Sequence, residues 1–152
     1  MKILLATDGT YHNEFAAEVF GRIRLADGDT IKIVSVVDMA LPFAVDVYTT
    51  QPPTALELEQ RFKNNAVAIL TQTEESIRAA CSNTNILLSS ELLIGSPERR
   101  IVETAEEMAA DLIVVGSHGY NRWERLLLGS VSDSVVHHAP CSVLIVRMTK
   151  KL

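Results

Sequence analysis

Among 152 residues there are only two cysteines, Cys81 and Cys141, and neither has a second thiol at the spacing of a metal site or a redox pair. That scarcity argues against a disulfide framework or thiolate-bound metal and leaves two buried structural thiols as the expectation. No apolar run approaches the roughly 18 residues of a membrane span, and the N-terminus reads as a strand rather than a basic head with a signal core. A cytoplasmic location with no membrane partner is therefore expected. Basic residues are in deficit: 14 Lys and Arg against 19 Asp and Glu give a formal net charge of −5, a field that repels nucleic acid and anionic surfaces alike. Internal repeats, linkers and low-complexity segments are missing as well. So are G-x-G-x-x-G after the first strand and any G-K-[ST] sequence, which argues against a dinucleotide oxidoreductase and a Walker-type P-loop.

What is present is a hydrophobic content of 47% with 22% charged residues, typical of one globular domain spanning residues 1–152 and large enough to bury a core without staples. Apolar runs alternate with helical patterns from end to end. The first strand is KILLAT, Lys2 to Thr7, followed by a turn through Asp8, Gly9 and Thr10 and a helix ending near Leu25. TIKIVSVV follows, then an excursion from Asp38 to Pro53 with three prolines, long enough to be functional, mobile or both. A Thr54 to Glu57 capping box opens a long helix with Phe62, Ala66, Ile69, Leu70, Thr73 and Ile77 on one face, running to about Cys81. After NILLSSELLIG, Ser96 and Pro97 sit at the start of a helix whose inner face is Ile101, Val102, Ala105 and Met108. DLIVVG is the fourth strand. The last helix is expected from Gly129 and Ser130, with Val131, Val135 and Val136 inward and Pro140 beyond its end, before CSVLIVR closes the chain as a fifth strand.

Five strands interleaved with four helices require crossovers, which make neighbouring strands parallel and cover both sheet faces. The expected fold is α/β, an open doubly wound parallel sheet, and the near-uniform apolarity of ILLA, LIVV and VLIV agrees. In such sheets ligands sit beyond the carboxyl ends of the strands, where the winding reverses. Two loops leave those ends with suggestive chemistry: ATDGT, Ala6 to Thr10, and the segment beginning at Gly116. Gly116 and Gly119 let the backbone approach a ligand closely. After nine intervening residues, Gly129 and Ser130 fall at a helix N-terminus, where unpaired N–H groups and the dipole favour an anion. By composition such a string arises by chance in about three of a thousand chains this long.

Gly116-x-x-Gly119, nine residues, Gly129-Ser130, together with ATDGT, GSPERRIVETAEEMAADLIVVGSHG and HHAPCSVLIVR, resembles the universal stress proteins, and within them the ATP-binding branch. The resemblance covers essentially the whole chain. It implies a Rossmann-like sheet of order 3-2-1-4-5 with ATP at the ends of strands one and four. Carried over by residue, it implies that Ala6, Thr7 and Asp8 line the ribose and phosphate side and that the Val36 backbone meets the adenine edge. Val115 and Gly116 would then flank the ribose, and Gly119, Gly129, Ser130 and Val131 hold the phosphates, with Mg²⁺ bridging phosphate oxygens. Whether AMP, ADP or ATP is resident stays open. In that strand order SVLIV lies at an edge with neither Pro nor Lys to deter pairing, so a homodimer through Val143 to Val146 is expected, with a protein partner unidentified.

Simpler readings stand beside these. Asp8 and Gly9 also suit a helix cap and a turn. His118 has no carboxylate or nucleophile beside it in sequence and reads as a loop or phosphate-adjacent imidazole; Arg122 and Arg125 read as surface charge, and Trp123 with Leu126, Leu127 and Leu128 as a packed lid. His137 and His138 complement the last helix's dipole, and adjacent positions point apart, against a shared metal. The functional expectation is an ATP-dependent regulatory module with little or no hydrolysis, because no catalytic residue is placed to orient an attacking water. The alternatives are a slow ATPase or phosphotransferase, with Asp8 holding the metal and His118 or an arginine assisting, and a nucleotide-free interaction module.

Overall fold

The computed structural model describes residues 1–9, 19–38, 54–117 and 128–147. Its elements are β1 (Lys2–Ala6), β2 (Thr30–Val37), α1 (Ala55–Ala80), β3 (Leu87–Ile94), α2 (Pro97–Glu107), β4 (Leu112–Gly116), α3 (Ser130–His138) and β5 (Ser142–Val146). The five strands form one sheet in the order β3-β2-β1-β4-β5, every pair parallel. The expected architecture is therefore present. Three helices fall among the described residues. Of the remaining expected helix only Val19 and Phe20 are described, and they are helical. That helix ends there rather than near Leu25, with the poor helix former Gly21 next. The excursion at 39–53 lies outside the described residues.

The apolar strand residues alternate between two cores, and in β1 and β4 they follow one another without polar residues between. Ile3, Leu5, Ile31, Ile33 and Val114 point to one face, packed with Phe20, Leu70, Ile77 and Cys81. Leu4, Val34, Ile113 and Val115 point to the other, against Ile101, Ala105 and Val135. Burial on both faces is what removes the polar half of the usual alternation.

Helix α1 opens with the expected capping box: Glu57 N–H donates to Thr54 Oγ1 at 3.2 Å, and Thr54 N–H to Glu57 Oε2 at 2.8 Å. Its expected apolar face is only partly used. Ala66, Ile69, Leu70, Thr73 and Ile77 are buried, but Phe62 is exposed. The reason is length: 26 helical residues span about 39 Å, against about 26 Å for the eight-residue strands β2 and β3. The first turns of α1 therefore extend past the sheet.

Two other inner faces differ from the sequence pattern. In α2 the buried residues are Ile101, Thr104 and Ala105, with Val102 and Met108 only partly buried. In α3 Ser132 and Val135 are buried, while Val131 is partly buried and Val136 exposed. A stripe one residue wide per turn faces the sheet in so short a helix, and Val136 lies about 100° round from Val135. Cys81 is buried as expected, but Cys141 only half so. Burial raises both thiols, with Asp111 adding to the effect at Cys141, which keeps them protonated and inert at neutral pH.

Helix α2 ends with a non-glycine residue in the left-handed region. Ala109 has φ +51°, while the next N–H, that of Ala110, returns to the Ala105 carbonyl at 2.9 Å. A Cβ there costs on the order of 1–2 kcal/mol, of which glycine's extra chain entropy would return only part. Ala109→Gly is expected to raise stability by about 0.5 kcal/mol and the melting temperature by about 1–2 °C. A lower melting temperature would contradict this reading of the turn.

Candidate functional site

The winding reverses between β1 and β4, whose paired residues include Leu5 with Val114. Beyond the carboxyl ends of these strands lies a cleft of about 380 Å³, within the range of small-molecule sites. Five stretches of chain form it. Ala6, Thr7 and Asp8 come from the end of β1, Val34 and Val36 from β2, Val115 and Gly116 from β4, and Gly129 to Ser132 from the start of α3; Pro97 and Ile101 of α2 close one side.

The turn after β1 is ordered by its own hydrogen bonds. Thr7 N–H donates to the Val34 carbonyl at 3.0 Å, and the Thr7 hydroxyl accepts from Gly9 N–H at 3.2 Å. Gly9 has φ +82°, a conformation that side-chain-bearing residues rarely adopt. This tight turn leaves Asp8 at the cleft wall, exposed to solvent. Asp8 brings the carboxylate among the lining residues, where it can meet a cation or a hydroxyl donor but not a bare phosphate.

The other wall is built for negative charge. Helix α3 has Gly129 at its N-cap, with extended backbone angles and no side-chain cap hydrogen bond. Its first intrahelical bond runs from Asp133 N–H to the Gly129 carbonyl at 2.9 Å. No side-chain oxygen of the cap occupies the first-turn amides, in contrast to α1, where Thr54 does. The positive end of α3 thus opens with Ser130 and Val131 into the cleft. Nearby, Glu98 in the first turn of α2 is held below the usual carboxylate range, chiefly by the Ser96 hydroxyl donating to it.

Of the residues singled out from sequence, Ala6, Thr7, Asp8, Val36, Val115, Gly116, Gly129, Ser130 and Val131 all line this cleft. Gly119 lies outside the described residues, as do His118, Arg122, Trp123, Arg125, Leu126 and Leu127. Sequence reasoning did not include Val34, Pro97, Ile101 and Ser132. Val34 and Ile101 read as core, which they also are, and Pro97 as a helix start; the available signal was that α2 begins at the same sheet end as the two loops. Among the described residues no group of three or more His, Cys, Asp or Glu is placed to hold a metal ion. No described helix is long and apolar enough to cross a membrane.

The Universal stress protein family profile matches residues 1–147. A Staphylococcus aureus (strain USA300) protein assigned to the universal stress proteins is 33% identical over 147 residues, covering 95% of this chain and 82% of that one. Among solved structures, the hypothetical protein MJ0577 superposes with a TM-score of 0.72 at 24% identity, covering 99% of this chain and 97% of that one. A universal stress protein crystallised in complex with cAMP superposes with a TM-score of 0.63 at 26% identity, covering 98% of both chains. With the profile match spanning nearly the whole chain, the sheet order and the sequence identity in agreement, the chain belongs to the universal stress protein family.

Proposed function

We propose that this protein is an ATP-binding regulatory module of the stress response, acting in the cytoplasm with little or no hydrolysis. One observation carries the reading: the glycine-capped N-terminus of α3 opens into the same cleft as the ends of β1 and β4. A nucleotide has an apolar, flat end and a polyanionic end, and the cleft has a matching polarity. Val34 and Val36 of β2, with Pro97 and Ile101, offer an apolar place for the base, the Val36 backbone meeting its edge. Ala6, Thr7 and Asp8 face the ribose and phosphate side, and Val115 and Gly116 flank the ribose. The amides at Ser130 and Val131 and the Ser130 hydroxyl face the phosphates, and glycine at 129, whose own N–H is given to the Ser117 carbonyl at 2.9 Å, leaves room for them. The family relative in complex with cAMP supports an adenine nucleotide as the ligand class.

A magnesium ion would be held through the phosphates; Asp8 is the one carboxylate among the described cleft residues, and no group of three or more His, Cys, Asp or Glu among the described residues could hold the ion by itself. Binding through main-chain amides needs no general base, and none of the described cleft residues is a histidine or lysine. Mass spectrometry of the small molecule released from freshly purified protein is expected to find an adenine nucleotide. Purified protein that is empty and shows no thermal shift with ATP would leave a nucleotide-free interaction module. Single-turnover hydrolysis above background, lost in Asp8→Ala, would instead establish the slow ATPase.

We propose further that the chain forms a homodimer. Strand β5 is at the sheet edge, its sequence SVLIV has neither Pro nor Lys, and Leu144 is exposed. An uncovered apolar edge is a template for pairing, and a second copy meeting it across a two-fold axis covers both edges at once. Size-exclusion chromatography with light scattering is expected to give a dimer at micromolar concentration, and a monomer would refute pairing through Val143 to Val146.

A further inference from the structure

We infer that Ser132 is a positioning residue that sets the start of α3 against the end of β4 before any ligand arrives; this rests on the polyphosphate reading above. Ser132 is only 5% exposed, and its hydroxyl donates to the Gly116 carbonyl at 2.5 Å, sixteen residues away in the chain. Gly116 is the last residue of β4 and pairs with Val146 of β5. One residue on, the Ser117 carbonyl accepts from Gly129 N–H at 2.9 Å, while Ser117 N–H donates to the Val146 carbonyl at 2.9 Å. Two hydrogen bonds therefore staple the helix start to a strand end that is itself fixed in the sheet.

The chemistry separates positioning from binding. A serine hydroxyl has one proton to donate, and here Gly116 takes it. Ser132 consequently has none left for an anion, although it lines the cleft. Its contribution is twofold. It fixes the direction of α3, whose N-cap has no side chain to do so, and thus the aim of the first-turn amides. It also occupies a carbonyl oxygen at the cleft wall whose partial negative charge would otherwise face the phosphates. Both effects act on the charged end of a nucleotide. The base is placed against β2, on the other side of β1 from β4.

The test is Ser132→Ala, compared with the unaltered protein by calorimetric titration with magnesium ATP and with adenosine on the same preparations. The staple predicts ATP binding weakened about tenfold, from loss of one well-placed hydrogen bond to a wall of an anion site, with adenosine binding unchanged within about twofold. It also predicts faster amide hydrogen exchange at residues 129–133 without nucleotide. Adenosine and ATP weakened equally would reduce Ser132 to a general structural role and overturn the inference. Unchanged ATP affinity with unchanged exchange would overturn it too, while leaving the nucleotide reading intact. An unaltered protein that binds no ATP would remove that reading and this inference together.

Discussion

Gly129→Val is expected to weaken ATP binding by about 100-fold while leaving the protein folded. The magnitude follows from losing one or two hydrogen bonds to charged phosphate oxygens, each about 1.5–3 kcal/mol. Gly129 has φ −62° and ψ 151°, extended backbone that valine adopts readily. The substitution therefore costs the fold only the difference between a fair and a poor N-cap residue, about 1 kcal/mol. What changes is the cleft wall, where a branched side chain is introduced beside the Ser130 and Val131 amides in place of none. Calorimetric titration with ATP, alongside circular dichroism and a thermal melt, checks both halves. A variant that binds ATP as the unaltered protein does would show that the phosphates do not lie at this helix start.

The architecture was legible because its signal is distributed. Five apolar runs separated by helical periods specify a parallel sheet whatever happens at one boundary, and Ile3, Leu4 and Leu5, all fully buried, need helices on both faces to be buried at all. Errors came where a local pattern met a tertiary length. Phe62 follows the helical period of α1 correctly, yet α1 outruns the strands it covers. Val136 is as apolar as Val135, and only the rotation of a nine-residue helix decides which one is inside.

The cleft was legible in the residues that must be special by themselves, the glycines and Asp8. Ser132 was not, because serine at the third helical position is ordinary and its partner, the Gly116 carbonyl, is brought near only by the fold. Val34 and Ile101 serve the core and the cleft at once, and a sequence assigns such residues to the commoner role.

A second large effect concerns the support of that cleft. Leu4 is fully buried on β1, the central strand, in a layer with Val34, Ile101, Ile113 and Val135. Two of these neighbours belong to α2 and α3, so the layer holds together the elements whose N-terminal ends form the cleft. Leu4→Ala leaves a cavity that strands hydrogen-bonded on both sides cannot collapse into. The expected cost is about 3–4 kcal/mol, a fall in melting temperature of roughly 10 °C for a chain of this size. Because a ligand that binds only the folded state stabilises by mass action, ATP at about 100 times its Kd should restore about 2.7 kcal/mol of that loss. Chemical denaturation with and without ATP measures both quantities. A loss under 1 kcal/mol would mean that this layer is not the close-packed unit described above.

The claim on which the functional account depends is that main-chain amides at the start of α3, facing the end of β4, hold the phosphates of an adenine nucleotide. A crystal structure of the protein grown with ATP and magnesium tests it directly. The account predicts phosphate oxygens about 3 Å from the amide nitrogens of Ser130 and Val131, with the base against Val36. A nucleotide bound elsewhere, or a cleft closed by its own side chains at millimolar ATP, would contradict it.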